Sequence, residues 1–226
     1  MGNLGRPGYL ASTEGMWPYS YHDDCDAGIT ANQSSLDGIS FLPGMKLPGC
    51  TCAKEDHPNS GKARSAPEID ALEASVGPID GGRVVGSASQ SAQVGPFDLW
   101  YQPNYDFIEI YNPEFTSMNN YRGGFFQQAI SGLSILNNDW YDGKEYQSFG
   151  FEYIPGNDGY IVWNIGDLKM WKMTAAATGP NGNVGQRPIP MEPMALIINN
   201  GMSSSFALVE FDKIAALLPA KMRIDW

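Results

Sequence analysis

The most constraining feature is a hairpin written into residues 147–165. In Gln147–Tyr153, Phe149, Phe151 and Tyr153 recur at period two, which places them on one face of a strand. Pro155-Gly156-Asn157-Asp158-Gly159 then turns the chain, and Tyr160–Ile165 returns it as a second apolar strand. Similar short runs, separated by turn residues, recur along the chain after residue 66. They are Ala66–Ala74, Val84–Val94, Asp106–Tyr111, Phe125–Ile135 and Met194–Asn199. Only Ile214–Leu218 reads as helical. With 26 Gly and 16 Pro to supply turns, this spacing predicts an all-β antiparallel sandwich or jelly roll.

Residues 21–66 behave differently. They lack a periodic apolar pattern and are punctuated by Pro43-Gly44, Pro48-Gly49 and Asn59-Ser60-Gly61. We read them as a long structured loop or insertion. All three cysteines lie there, Cys25, Cys50 and Cys52. Cys50-Thr51-Cys52 is a C-x-C, and with two His in the chain the pattern does not make a zinc site. A disulfide from Cys25 to either Cys50 or Cys52 is the better reading, with one thiol left over. Asn32-Gln33-Ser34 is an N-glycosylation sequon. His57, between Asp56 and Pro58, reads as a turn residue. The methionines, Met170 and Met173 among them, need no cofactor, and we expect neither a cofactor nor a metal.

Charge narrows the partners. The formal net charge is −11, and no Lys/Arg cluster offers the basic face that nucleic acid requires. Anionic lipid surfaces are disfavoured for the same reason. Neutral sugars remain, because they are bound by aromatics and hydrogen bonds. The chain has 11 Tyr, 10 Phe and 6 Trp. Trp17, Tyr19, Trp100 and Tyr101 are candidates to stack on sugar rings, though each is also a candidate for the core. Trp163 and Trp171 read as structural. Asn199 is either a sugar contact or a satisfied buried amide. No apolar run is long enough to span a bilayer, and Met1–Ser12 has neither the charged start nor the apolar core of a signal peptide.

The chemistry-bearing segment is Glu68-Ile69-Asp70-Ala71-Leu72-Glu73. On a regular strand Glu68 and Asp70 share a face, and Glu73 falls out of phase by one. A single β-bulge near Ala71-Leu72 brings all three carboxylates to one side, leaving Ile69 for the core. The Glu68 and Glu73 α-carbons are then about 13 Å apart at ~3.3 Å per residue. Three acids on one face repel each other unless they are solvated or used. One use is glycoside cleavage, in which one carboxylate attacks the anomeric carbon and another protonates the leaving oxygen. Retention of configuration requires carboxyl groups about 5–5.5 Å apart. The alternative from the pattern alone is a solvated acidic strand edge.

This segment resembles the bulged signature of glycoside hydrolase family 16. Trp17-Pro18 is similar to the W-P ahead of that signature, with Tyr21–Pro67 intervening, and Phe149–Asp167 resembles the family's late hairpin. Pro193–Gly201 and Met222–Trp226 also look like family segments. More closely, Met1–Tyr9, Trp17–Tyr21, Cys50–Cys52, Glu55–Pro58, Pro96–Tyr101, Asn104–Phe107 and Phe126–Ala129 resemble the fungal β-glucan synthesis-associated proteins, so that the likeness covers essentially the whole chain.

The resemblance implies a concanavalin-like β jelly roll with its cleft on the concave sheet, over residues 1–226. It implies a role in β-1,6-glucan and cell-wall assembly through glucan hydrolysis or transglycosylation. The roles it implies are Glu68 as nucleophile, Asp70 as assisting acid and Glu73 as general acid/base. It places such a protein in the secretory lumen or at the cell surface, held by a single membrane anchor absent from this chain. The comparison also leads us to expect that the first strands of the sandwich and the end of the last are missing. The alternatives it leaves are a non-catalytic glucan-binding or wall-assembly protein and an inactive truncated fragment.

Overall fold

The computed structural model describes residues 68–78, 82–94, 102–124, 127–137, 146–178, 188–191, 194 and 196–224. The insertion at 21–66, Trp17, Tyr19, Trp100, Tyr101, Asn32, His57 and the three cysteines lie outside the described residues.

The architecture is all-β, in two antiparallel sheets. The first contains β1 (Glu68–Pro78), β2 (Val84–Val94), β6 (Gln127–Ile135) and β4 (Thr116–Met118), hydrogen-bonded in that order. The short β5 (Gly123–Gly124) also pairs with β6. The second runs β3 (Ile108–Ile110), β9 (Leu168–Thr174), β8 (Tyr160–Ile165) and β7 (Phe149–Ile154). Val84–Val94 has the bounds its pattern predicts, and the 149–165 hairpin forms as expected, with Phe149 opposite Ile165 and Ile154 opposite Tyr160. Its turn uses Gly156 at φ 104°, a backbone region that side-chain-bearing residues rarely enter.

The two sheets bury one core between them. Ile69, Ala88, Ala92 and Ile130 come from the first, and Ile161, Trp163, Ile165, Trp171 and Met173 from the second. Phe149, Phe151 and Tyr153 pack against it as the period-two pattern requires. Trp163 and Trp171 are directly opposed across β8 and β9, fully buried, and stacked with ring centroids 3.9 Å apart and planes 8° from parallel. They are structural, as the sequence suggests. Gly132 on β6 explains how the other sheet accommodates them: a Cβ there would sit 2.5 Å from Trp171 Nε1. The indole therefore lies directly against the β6 backbone.

Several elements, the short β4 and β5 among them, differ from the sequence reading. β9 has no counterpart in it, because a register shift between Trp163 and Asn164 breaks the alternation that would announce a strand. Asp106–Tyr111 yields only the three-residue β3; Asn104 Oδ1 accepts the Asp106 N–H and caps a 3-10 turn over Tyr105–Phe107. The expected strand at Met194–Asn199 is not one: positions 196–199 carry no strand pairing, and Leu196 and Ile198 are exposed. An apolar run becomes a strand only where another edge receives it. The helix is Phe211–Ala215, three residues earlier than expected. Among the described residues no helix is long and apolar enough to cross a membrane.

Candidate active site

The geometry of the carboxylate strand follows from its pairing with β2. Glu68 opposes Gln93, Asp70 opposes Ser91 and Glu73 opposes Ser89. Positions 93, 91 and 89 are spaced at period two, so they project from one face of β2, and their partners project from the same face of β1. The register shifts between Asp70 and Glu73, where three steps along β1 match two along β2. This is the bulge the sequence requires, at the residues it requires. Ile69, opposite Ala92, points the other way and is fully buried in the core.

A bulge interrupts the ladder, and its carbonyls need other donors. Two side chains supply them. Trp163 Nε1 donates to the Asp70 carbonyl at 3.0 Å, reaching across from the second sheet. Gln90, fully buried opposite the bulge, donates from Nε2 to the Ala71 carbonyl at 3.0 Å and to the Asn164 carbonyl at 3.1 Å. The buried Trp pair and the bulge are thus one construction. The core-facing side of the sheet fixes the irregularity that aligns the acids on the opposite side.

On the acid side the floor is polar. Ser91 Oγ donates to Asp70 Oδ2 at 2.6 Å, and Gln93 Nε2 donates to the same oxygen at 2.7 Å. Two donors converging on one carboxylate oxygen hold the carboxyl group in place. Further along the face, the Ser89 and Ser131 hydroxyls are hydrogen-bonded at 3.0 Å, and Asn119 Nδ2 donates to Ser131 Oγ at 3.3 Å. Glu68 is 7% exposed and Gln93 6%, whereas Asp70 and Glu73 are half-buried. The Tyr160 hydroxyl, held by Glu152, and Tyr111, partly buried beside Glu109, are both pushed above the ordinary tyrosine value.

The structure therefore brings Glu68, Asp70 and Glu73 together. Asn199 is not a buried amide; it is exposed, and its Oδ1 accepts the Gly201 N–H at 3.3 Å. The residues that sequence reasoning missed are Ser89, Ser91, Gln93 and Ser131. Their signal was present in Ala88-Ser89-Gln90-Ser91-Ala92-Gln93, where Ser89, Ser91 and Gln93 recur at period two in step with the acids of β1 and Ala88 and Ala92 fall on the other face.

A family model described as Beta-glucan synthesis-associated protein SKN1/KRE6/Sbg1 matches residues 1–226. The chain belongs to this family. It is 54% identical over its whole length to the Beta-glucan synthesis-associated protein SKN1 of Candida albicans, of which it covers 30%. It is also 54% identical to the protein of the same description, KRE6, of Saccharomyces cerevisiae, covering 31% of it. The C. albicans KRE6 protein is 49% identical, again over the whole of this chain. The chain thus spans about a third of the length of these relatives. No solved structure matches it.

Proposed function

We propose that this chain carries a β-glucan-active site of the retaining glycosidase or transglycosylase type, acting in fungal cell-wall glucan assembly. The observation that carries the reading is the bulged register that places Glu68, Asp70 and Glu73 on one face of β1. The printed names of the relatives, which associate them with β-glucan synthesis, support the choice of polymer. A secretory-lumen or cell-surface location belongs to the same reading, and so does attachment to a membrane by a segment outside the chain.

In this mechanism the Glu68 carboxylate attacks the anomeric carbon while Glu73 protonates the departing glycosidic oxygen. A glycosyl ester to Glu68 results. Glu73, now ionised, takes a proton from water or from an acceptor hydroxyl, which displaces Glu68 with a second inversion and net retention. Water as acceptor gives hydrolysis; a glucan hydroxyl gives transfer. Asp70, held by Ser91 and Gln93, lies between the two Glu residues on the same face of β1.

The test is Glu68→Gln, which keeps the shape and removes the nucleophile. Glucan cleavage and transfer by the chain should both disappear; unchanged turnover would sink the mechanism. One observation favours a second reading, that the face binds glucan without cleaving it: Glu68 is only 7% exposed. That reading expects glucan binding to survive replacement of all three acids, with no turnover by the unaltered chain.

A further inference from the structure

Gln93 carries a polar atom whose role the reading above leaves open. The residue sits on β2 opposite Glu68, on the acid face, and is 6% exposed. Its Nε2 is committed to Asp70 Oδ2 at 2.7 Å. Its Oε1 is buried and has no hydrogen-bond partner among the described residues. The orientation of the amide is dictated by chemistry, because an ionised carboxylate only accepts and must be met by the NH₂ end. The carbonyl end is therefore held, by Asp70, as a fixed and unsatisfied acceptor beside the Glu68 position. A buried acceptor without a donor is costly, and such atoms in folded proteins commonly await a ligand or an ordered water.

We propose that Gln93 Oε1 receives a hydroxyl of the glucosyl ring bound over Glu68, making Gln93 a substrate-contact and specificity residue. The proposal rests on the glucan reading and deepens it. The required partner is an O–H donor, which every pyranose ring presents. The Asp70–Gln93 bond sets the direction from which that hydroxyl is read. One amide then links two tasks. Its nitrogen holds the central acid, and its oxygen selects a ring whose hydroxyl points toward β2. An analogue lacking that hydroxyl would leave Oε1 buried and unpaired in the complex, which is the strongest way a site rejects a near-isostere.

The test is a coupling measurement by isothermal titration on the 226-residue chain. The probes are β-1,3- and β-1,6-linked glucotetraoses and their monodeoxy analogues. Removal of one particular hydroxyl should weaken binding to the unaltered chain about tenfold. The same removal should weaken binding to Gln93→Met less than about twofold, since that variant keeps the length and lacks the acceptor. Gln93→Leu, which likewise lacks the acceptor, should show the same loss of discrimination, and it carries the test if the Met variant does not fold. Equal losses in the unaltered chain and both variants at every hydroxyl would overturn the proposal. If that happens while the chain still cleaves or transfers glucan, the Gln93 assignment alone fails. If the chain binds none of the tetraoses and turns none over, both readings fall together.

Discussion

The two faces of the β1–β2–β6 sheet are built from the same strands and do opposite things. One presents Ile69, Ala88, Ala92 and Ile130 to the Trp163–Trp171 stack. The other presents Glu68, Asp70 and Glu73 above Ser89, Ser91, Gln93 and Ser131. Adjacent positions are all that separate them, so a slip of one residue would exchange core for acids. The comparison teaches that the site is not merely displayed by the core. Trp163 and Gln90 on the packed side hold the Asp70 and Ala71 carbonyls, and that holds Glu73 in line with Glu68.

The largest expected effect breaks the acid face and leaves the packed face intact. Glu73→Gln should reduce glucan turnover about 10²–10⁴-fold, as loss of a general acid does. Its melting temperature should not fall, because Glu73 is half-buried outside the core. A drop in stability with activity retained would invert the comparison.

The reverse experiment attacks the packed face. Trp171→Ala removes half of the stack and should cost about 3–5 kcal/mol in denaturant unfolding. A milder version is Gly132→Ala, whose new methyl meets the Trp171 indole. It should cost about 1–3 kcal/mol by overpacking. Because the tryptophan pair also supports the bulge, any folded Gly132→Ala protein should lose turnover by more than its unfolded fraction explains. Turnover that simply tracks the folded fraction would show that the two faces are uncoupled.

The smallest effect concerns neither face of that sheet and serves as a control. Tyr160 is held above its ordinary value of 10.0 by the hydrogen bond it donates to Glu152, and Tyr111 mainly by burial. A raised value in the folded state means that the proton is bound more tightly there. The contribution is therefore fully present below pH 10 and is lost as pH rises through the folded values. Thermal melts from pH 9 to 12 should show a small alkaline decline that Tyr160→Phe and Tyr111→Phe together flatten. No change in the slope on their removal would contradict the assignment.

Much of the comparison was legible in the sequence. Ile69 between two acids fixes which side of β1 is core, and the out-of-phase Glu73 demands a bulge in one place. The 149–165 hairpin follows from its turn and alternation. What was not legible depends on partners distant in sequence. β9 pairs Trp171 with Trp163 around an irregularity that hides its period, and Leu196 and Ile198 look strand-like but meet no edge. The polar floor was overlooked because Ser and Gln carry no catalytic signature alone. They acquire one only when the register sets Ser91 and Gln93 against Asp70.

The central claim is that the bulged strand presents a nucleophile, and trapping tests it most directly. The chain would be incubated with an activated 2-deoxy-2-fluoro β-glucosyl or β-laminaribiosyl donor, digested, and mapped by mass spectrometry. The account predicts one covalent glycosyl adduct on the peptide containing Glu68, attached to that carboxylate and absent from Glu68→Gln. An adduct on Glu73 instead, or glucan turnover with inversion and no adduct at all, would contradict it.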